Sequence, residues 1–475
     1  MRRGVGFVAS VVGILLAVPV AAQVPPAADG FVLGTDDPGR HPSPFIGNGR
    51  IGVVIPPLGI GATPSIAAGI YEHGPRDVPR VAAAPAWNGI GVAVGDRWLG
   101  PGHDSVVRYR QTVDMRTAVS RTSFDWIDGD RTSGIEVETF VSRASPLPAA
   151  ISLTVTPRQA GPLRVRFALA GWSSPPRLPL DTLEQTDPSW GPRELWYPGH
   201  MKVVNRMATV DGNTARLSIT AVPEGRALQF AEAAEVRWPM GLRAHSVTRA
   251  AGDTAMFELT LDAVGGRSYR FTQLTAFATT AETGRPVDLA ARRVADAGAA
   301  GYTTVAAANA RAWARRWETD LVLDGAPELQ RVARAMMFYL LCSADSGTAM
   351  GIPPMGLSSG GYYGHVFWDS DTWMFPSLVL THPDIARSMV AFRARTLPAA
   401  RANAQANGFR GAMYPWEADE RGVETTPHFA AQNASSEIHV NGDVAVAQWQ
   451  YYLATGDSAW LARDGFLVLR GTADF

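Results

Sequence analysis

Two textures divide the chain. Between residues 28 and 282, apolar and polar positions alternate in short runs at 51–55, 134–141, 150–155, 163–168 and 256–261, punctuated by Gly, Pro and Asp. A period of two predicts strands with one buried and one wet face. Many such strands without a long helix predict an antiparallel β-sandwich. From residue 283 the period becomes helical. Residues 289–314 are rich in Ala and Arg, and Trp313 and Trp317 fall four apart on one face, which predicts a helical linker over 283–325. After a break at 323–327, Leu329, Val332, Met336, Tyr339 and Leu340 form an apolar stripe that predicts a helix over 328–342. Further helices are expected near 371–381, 384–406, 441–455 and 458–475, with Asp384 after Pro383 as a start signal. Long helices joined by loops that carry aromatic and acidic residues predict an α/α toroid over 326–475, with a site at one mouth. The expected fold class is therefore multidomain, β followed by α.

Composition narrows the function. The chain of 475 residues is long enough for two or three domains with full cores. Apolar residues make up 46% and charged residues 18%, which argues against disorder. A formal net charge of −1 provides no basic patch for nucleic acid and no long-range attraction to anionic membranes. A neutral substrate is the default. Fourteen tryptophans suit either core filling or stacking on sugar rings. Arg2 and Arg3, the apolar run 5–20 and Ala21-Ala22-Gln23 read as a signal peptide over 1–23. The run is short for a membrane span and ends near Pro19. With abundant Arg, Ala and Gly and few Lys, the expectation is bacterial export to the periplasm or beyond. Cys342 is the one cysteine and follows the apolar run 336–341, so a buried inert thiol is expected and no intrachain disulfide can form.

The chemistry concentrates in three stretches: GHVFWDSDTWMFPS at 364–377, YPWEADERGVE at 414–424 and SSEIHVNGD at 435–443. Each sets carboxylates beside tryptophan or histidine. Glycosidic cleavage needs carboxyl groups to move protons, and flat rings to hold a pyranose. Glu437, just before a helix expected to begin at Asn441, can serve as a general acid if partial burial raises its pKa, or be an ordinary carboxylate near a helix start. Asp369 suits a sugar ligand beside Trp368, whereas Asp371 suits a helix N-cap. Trp416 and Glu417 repeat the aromatic–acid pairing, and Asp419, Glu420 and Glu424 read as solvated loop charges, although Glu424 could approach the mouth. His365, Asp369, Glu437 and His439 are conceivable metal ligands, but HExxH, paired cysteines and an EF-hand loop are all absent from the sequence.

These stretches, with 352–357, 449–457 and the upstream pieces 47–52 and 77–80, resemble glycoside hydrolase family 65. Within it they are most similar to the glucosidases of glucosyl-galactosyl-hydroxylysine. The resemblance implies an N-terminal β-sandwich, a helical linker and an (α/α)6 catalytic barrel acting with inversion on an α-glucoside, without metal or organic cofactor. It implies that Glu437 is the general acid and that Trp368, Asp369, Trp416 and Glu417 hold the terminal glucose. Three activities stay open: a hydrolase, a disaccharide phosphorylase using inorganic phosphate, and a non-catalytic carbohydrate binder. Residues 326–475 accommodate at most roughly nine mean-length helices with their connectors, fewer than a closed toroid needs. The expectation is a C-terminally truncated barrel lacking the family's base or phosphate loop.

Overall fold

The structure, a computed structural model, describes residues 30–39, 43–73, 78–100, 105–144, 148–172 and 198–475. The expected signal peptide lies outside the described residues. Every alternating run in the first half becomes a strand. In Gly161–Ala170, the side chains of Leu163, Val165 and Phe167 are fully buried, while Arg164 and Arg166 turn outward. They pair in register with Leu261, Leu259 and Phe257 of Thr254–Ala263. Two strands with matched parity thus present one continuous apolar face.

Among the described residues, the strands form a thirteen-stranded and a five-stranded sheet. The larger runs from Val32–Thr35 through Val106–Asp114, Val119–Asp128, Arg131–Val141 and Ala149–Pro157 to Tyr269–Thr279, Phe230–Arg237, Thr214–Pro223 and Gly199–Asp211. It continues into Arg80–Ala84, Ser65–Glu72, Ile51–Val54 and Phe45–Gly47. The step from Gly199–Asp211 to Arg80–Ala84 is parallel, through Gly199 and His200 opposite Ala82 and Ala83. The smaller sheet packs over the middle of the larger one, and Trp87, Phe167, Phe257, Phe271 and Tyr269 fill the space between them.

Two helices follow. Helix α1 (Pro286–Ala300) lies on the outer face of the large sheet, with Ala290, Val294 and Ala297 against Ala231, Ala233 and Ala276. Small residues on both sides permit that close approach. Gly301, at φ 83°, turns the chain into α2 (Tyr302–Arg316). Trp313 of α2 is fully buried, and Trp317 donates from its indole N–H to the Met115 carbonyl at 2.7 Å. These helices dock on the strands and carry the chain to the helical part.

That part begins with α3 (Pro327–Ser343), and the expected orientation is corrected there. Leu329, Val332, Met336 and Tyr339 are exposed, whereas Phe338, Leu341 and Cys342 are buried. Contact with Trp313 and with the strand Phe45–Gly47 selects the opposite face. The Cys342 thiol is buried, and desolvation pushes its pKa up to about 12, so it is inert as expected. A π-helical turn (Ser370–Met374) leads into α4 (Phe375–Thr381). The helix expected over 384–406 is two, α5 (Pro383–Arg395) and α6 (Leu397–Ala406). Pro398 sits in the first turn of α6, where its missing N–H is harmless but where α5 could not have continued. A short α7 (Ala431–Ser436) was not anticipated, α8 spans Val440–Thr455, and α9 spans Phe466–Asp474 after a π-helical turn at Leu461–Gly465. Among the described residues, no helix is long and apolar enough to cross a membrane.

Candidate functional site

The three acidic–aromatic stretches converge. Val366 and Ala418 pair as an isolated antiparallel bridge, and Ala418 pairs again with Glu424. Asn441 at the start of α8 accepts from the Tyr414 N–H at 2.8 Å and donates to the Ala412 carbonyl at 3.0 Å. The stretch carrying Glu437 is thereby tied to the one carrying Trp416. Leu397, Ala412, Tyr414, Val440, Val444 and Val468 form a small core beneath them, against which Trp368 and Trp416 pack from the site side.

Above that core the rings make a wall. Trp368 and Trp416 have centroids 6.4 Å apart. The His439 ring stands edge-on to both, 5.0 Å from Trp368 and 6.1 Å from Trp416. Trp373 adds a more exposed ring 5.8 Å from Trp368. Half-buried indoles joined to carboxylates suit a pyranose, which has an apolar face and a polar rim.

Among the carboxylates, Glu437 is half-buried, its side chain 39% exposed, and its Oε2 lies 3.2 Å from His439 Nε2. His439 Nδ1 is 2.8 Å from Asp443 Oδ2. A carboxylate accepts, so Nδ1 carries the hydrogen and the ring is oriented by Asp443. Asp369 is half-buried, and desolvation raises its pKa above the ordinary value. Glu417 is buried, with Oε2 2.8 Å from His365 Nδ1. Its pKa is also raised: desolvation contributes most, His365 opposes it, and Glu424 adds to it.

The expected N-cap role of Asp371 is corrected. Asp371 is buried and pairs with Arg393 at 2.6 Å, and no side-chain cap bond is made there. Arg393 also donates to the Phe367 carbonyl at 3.1 Å, fixing the backbone beside Trp368. The expected solvated loop charges are corrected as well. Asp419 is fully buried and accepts from the backbone and guanidinium of Arg421. Glu420 pairs with Arg226 of the β domain at 2.9 Å. Glu424 turns inward and accepts from the Trp416 N–H at 2.9 Å and from Thr426. An antiparallel return from Ala418 to Glu424 brings these acids back under the loop, and nothing periodic in sequence announces it. The i, i+4 spacing of His439 and Asp443 on a helix start was the one available signal for the Asp443 contact.

A group able to hold a metal lies elsewhere, in the β domain. Ligand atoms of Glu72, His200 and Glu224 fall within 4.8 Å of one another. Glu72 already accepts from the His200 N–H at 3.2 Å.

Comparison with known proteins decides the family. The model of the glycosyl hydrolase family 65 N-terminal domain matches residues 45–316, and that of the family's central catalytic domain matches residues 334–475. The chain belongs to glycosyl hydrolase family 65. A kojibiose hydrolase of Mucilaginibacter mallensis is 30% identical over 461 residues, covering 94% of this chain and 63% of that protein. A protein-glucosylgalactosylhydroxylysine glucosidase of Gallus gallus is 42% identical over 167 residues, 33% of this chain and 23% of its own length. A kojibiose phosphorylase of Halothermothrix orenii is 33% identical over 207 residues, 41% of this chain and 26% of its own length. A solved human-microbiome protein described as a kojibiose phosphorylase superposes with a TM-score of 0.79 at 16% identity, over 94% of this chain and 59% of that one. That likeness shows a shared fold: a large β-sheet domain followed by helices. This family 65 chain spans less than two thirds of the length of these relatives.

Proposed function

We propose that this family 65 chain carries the sugar-holding and proton-donating side of an inverting α-glucoside hydrolase. Support comes chiefly from the convergence of Trp368, Trp416 and His439, which joins the Asp369 and Glu417 carboxylates to the stretch bearing Glu437. The terminal glucose stacks on the indole wall while Asp369 and Glu417 accept from its hydroxyls. The carboxyl O–H of Glu437 donates to the glycosidic oxygen as the C–O bond breaks, and the bonding electrons leave with that oxygen. Attack on the opposite face inverts the anomeric carbon. Inverting hydrolysis uses water activated by a second carboxylate about 6.5–9.5 Å away; we assign that base to no described residue. His439, oriented by Asp443, stands beside Glu437 and limits its swing. The helical part belongs, in this reading, to an (α/α)6 barrel whose mouth holds the site. The reaction needs no metal or organic cofactor, and residues 1–23 direct export.

Kojibiose, a conjugated glucoside or a related disaccharide fits the substrate class named by the relatives. Hydrolysis is preferred because the hydrolase relative is 30% identical along 94% of the chain, whereas the phosphorylase that superposes over the same share is 16% identical. An exported enzyme also has little direct use for a sugar phosphate. In a form of the protein that also supplies the base, incubation with kojibiose, followed by NMR of the first-formed anomer, tests the reading. The expected product is β-glucose, and Glu437→Gln is expected to lower turnover by about 10²–10⁴-fold without altering the fold. Wild-type turnover in that variant overturns the role of Glu437. Phosphate-dependent formation of a sugar phosphate makes the protein a phosphorylase, and glucoside binding without any turnover makes it a carbohydrate binder.

A further inference from the structure

Glu417 is held from behind by a histidine that reaches across the domain boundary. His365 is fully buried between the rings of Tyr71, 6.3 Å away, and Tyr363, 5.4 Å away. Its Nε2 lies 2.6 Å from the carbonyl oxygen of Pro79, which leads into the strand Arg80–Ala84 of the β domain. Its Nδ1 lies 2.8 Å from Glu417 Oε2. A carbonyl can only accept, so Nε2 carries a hydrogen. One further proton must then lie between Nδ1 and Oε2, because two lone pairs at that distance repel. Thr425 cannot supply it. Its hydroxyl stands 3.4 Å from Nδ1, and its hydrogen goes to the Glu417 carbonyl at 3.0 Å.

We infer that His365 is a positioning residue that clamps Glu417 Oε2 through this shared proton and is itself oriented by Pro79, so that the β domain completes the sugar-holding half of the site. The inference rests on the assignment of Glu417 as a glucose ligand. The clamp leaves the second carboxyl oxygen for the sugar and keeps it from rotating away. It works only while the shared proton is present. The groups facing the pair are Glu424 on the same loop, the phenols of Tyr71 and Tyr363, and Arg80, whose guanidinium lies 5.3 Å over the Tyr363 ring. Glu424 favours retention of the proton on Glu417, and the His365 contact opposes it. When that proton leaves as pH rises, a bare Nδ1 faces a carboxylate and the clamp opens. A glutamine at 417 donates an amide N–H to Nδ1 and does not titrate, so it keeps the clamp closed at any pH.

Titration of the full chain with D-glucose from pH 5 to pH 10, followed by tryptophan fluorescence and calorimetry, tests this. Wild-type affinity is expected to fall at least about tenfold as pH rises across this range. Glu417→Gln is expected to bind with little pH dependence, and His365→Gln to bind at least about tenfold more weakly at neutral pH. If His365→Gln does not fold, the Glu417→Gln profile decides. Parallel pH curves for wild type and Glu417→Gln overturn the inference alone, provided Trp368→Ala abolishes glucose binding. Wild-type protein that binds no glucose, or binding indifferent to Trp368→Ala, overturns the underlying site assignment and this inference with it.

Discussion

A carboxyl group buried without a partner is among the most expensive side chains a core can hold. Glu232 lies in the strand Phe230–Arg237 with its side chain fully buried. Among the described residues, neither of its oxygens has a hydrogen-bond partner. Desolvation raises its pKa well above the ordinary value of 4.5. It is therefore neutral in the fold at pH values where the unfolded chain ionises it. The linkage sign follows: its contribution to stability is full below about pH 4.5 and is lost as pH rises toward the folded-state pKa. Each pH unit in that window costs about 1.4 kcal/mol. Thermal unfolding between pH 5 and pH 8 should therefore weaken the wild type more steeply than Glu232→Gln, which cannot ionise. Identical slopes for the two proteins refute this role. Arg393 and Asp371 show another solution, since the two buried groups pair with each other and together brace Phe367.

At the scale of elements, the site is built from loops that helices and glycines hold in place. Gly422, at φ 75°, turns the chain between Asp419 and Glu424, and its N–H donates to the Asp419 carbonyl at 3.0 Å. A Cβ there would meet Thr396 Cβ at 2.2 Å, at the junction of α5 and α6. Gly408 is a natural control, at φ 81° with nothing within 4 Å of a Cβ. Gly422→Ala should cost about 2–4 kcal/mol and weaken glucose binding by shifting Trp416. Gly408→Ala should cost about 1–2 kcal/mol and leave binding intact. Chemical denaturation and glucose titration check both, and equal losses sink the argument. The contrast also marks what sequence could reveal. Strands such as Gly161–Ala170 and helices such as α8 were legible because alternation and helical spacing are local and one face of each is buried. The proximity of Trp368, Trp416 and Glu437 was legible only as shared chemistry. The inward turn of Glu424, the Asp371–Arg393 pair and the His365–Pro79 contact depend on chain paths that cross between elements, and those leave no periodic trace. The buried face of α3 was misread for a related reason. Both of its faces carry apolar residues, and the partner surface decides which one packs.

For the whole molecule, the β domain is joined to the helical part by buried polar contacts as well as by the linker helices. Gly49 donates to the Cys342 carbonyl at 2.9 Å, Tyr71 donates to the Gly364 carbonyl, and Arg226 reaches Glu420. Arg143 makes another of these bridges. Its side chain is 4% exposed, its guanidinium stands 4.8 Å over Trp313 of α2, and it donates to the carbonyls of Leu341 and Ala344 at the end of α3. It also pairs with Asp345 at 3.3 Å. Burial lowers its pKa to about 10, so it stays charged at neutral pH. Removing it strands two carbonyls that α3 cannot satisfy internally and leaves Asp345 with Arg50, which is half exposed. Arg143→Met should therefore cost about 3–5 kcal/mol, whereas Arg50→Met should cost about 1 kcal/mol or less. The wild type should unfold in one calorimetric transition, because strands, linker and α3 share these contacts. Arg143→Met should lower that transition and separate the β domain from the helical part. If both variants unfold alike in a single transition, Arg143 is not the residue that makes the two domains one cooperative unit.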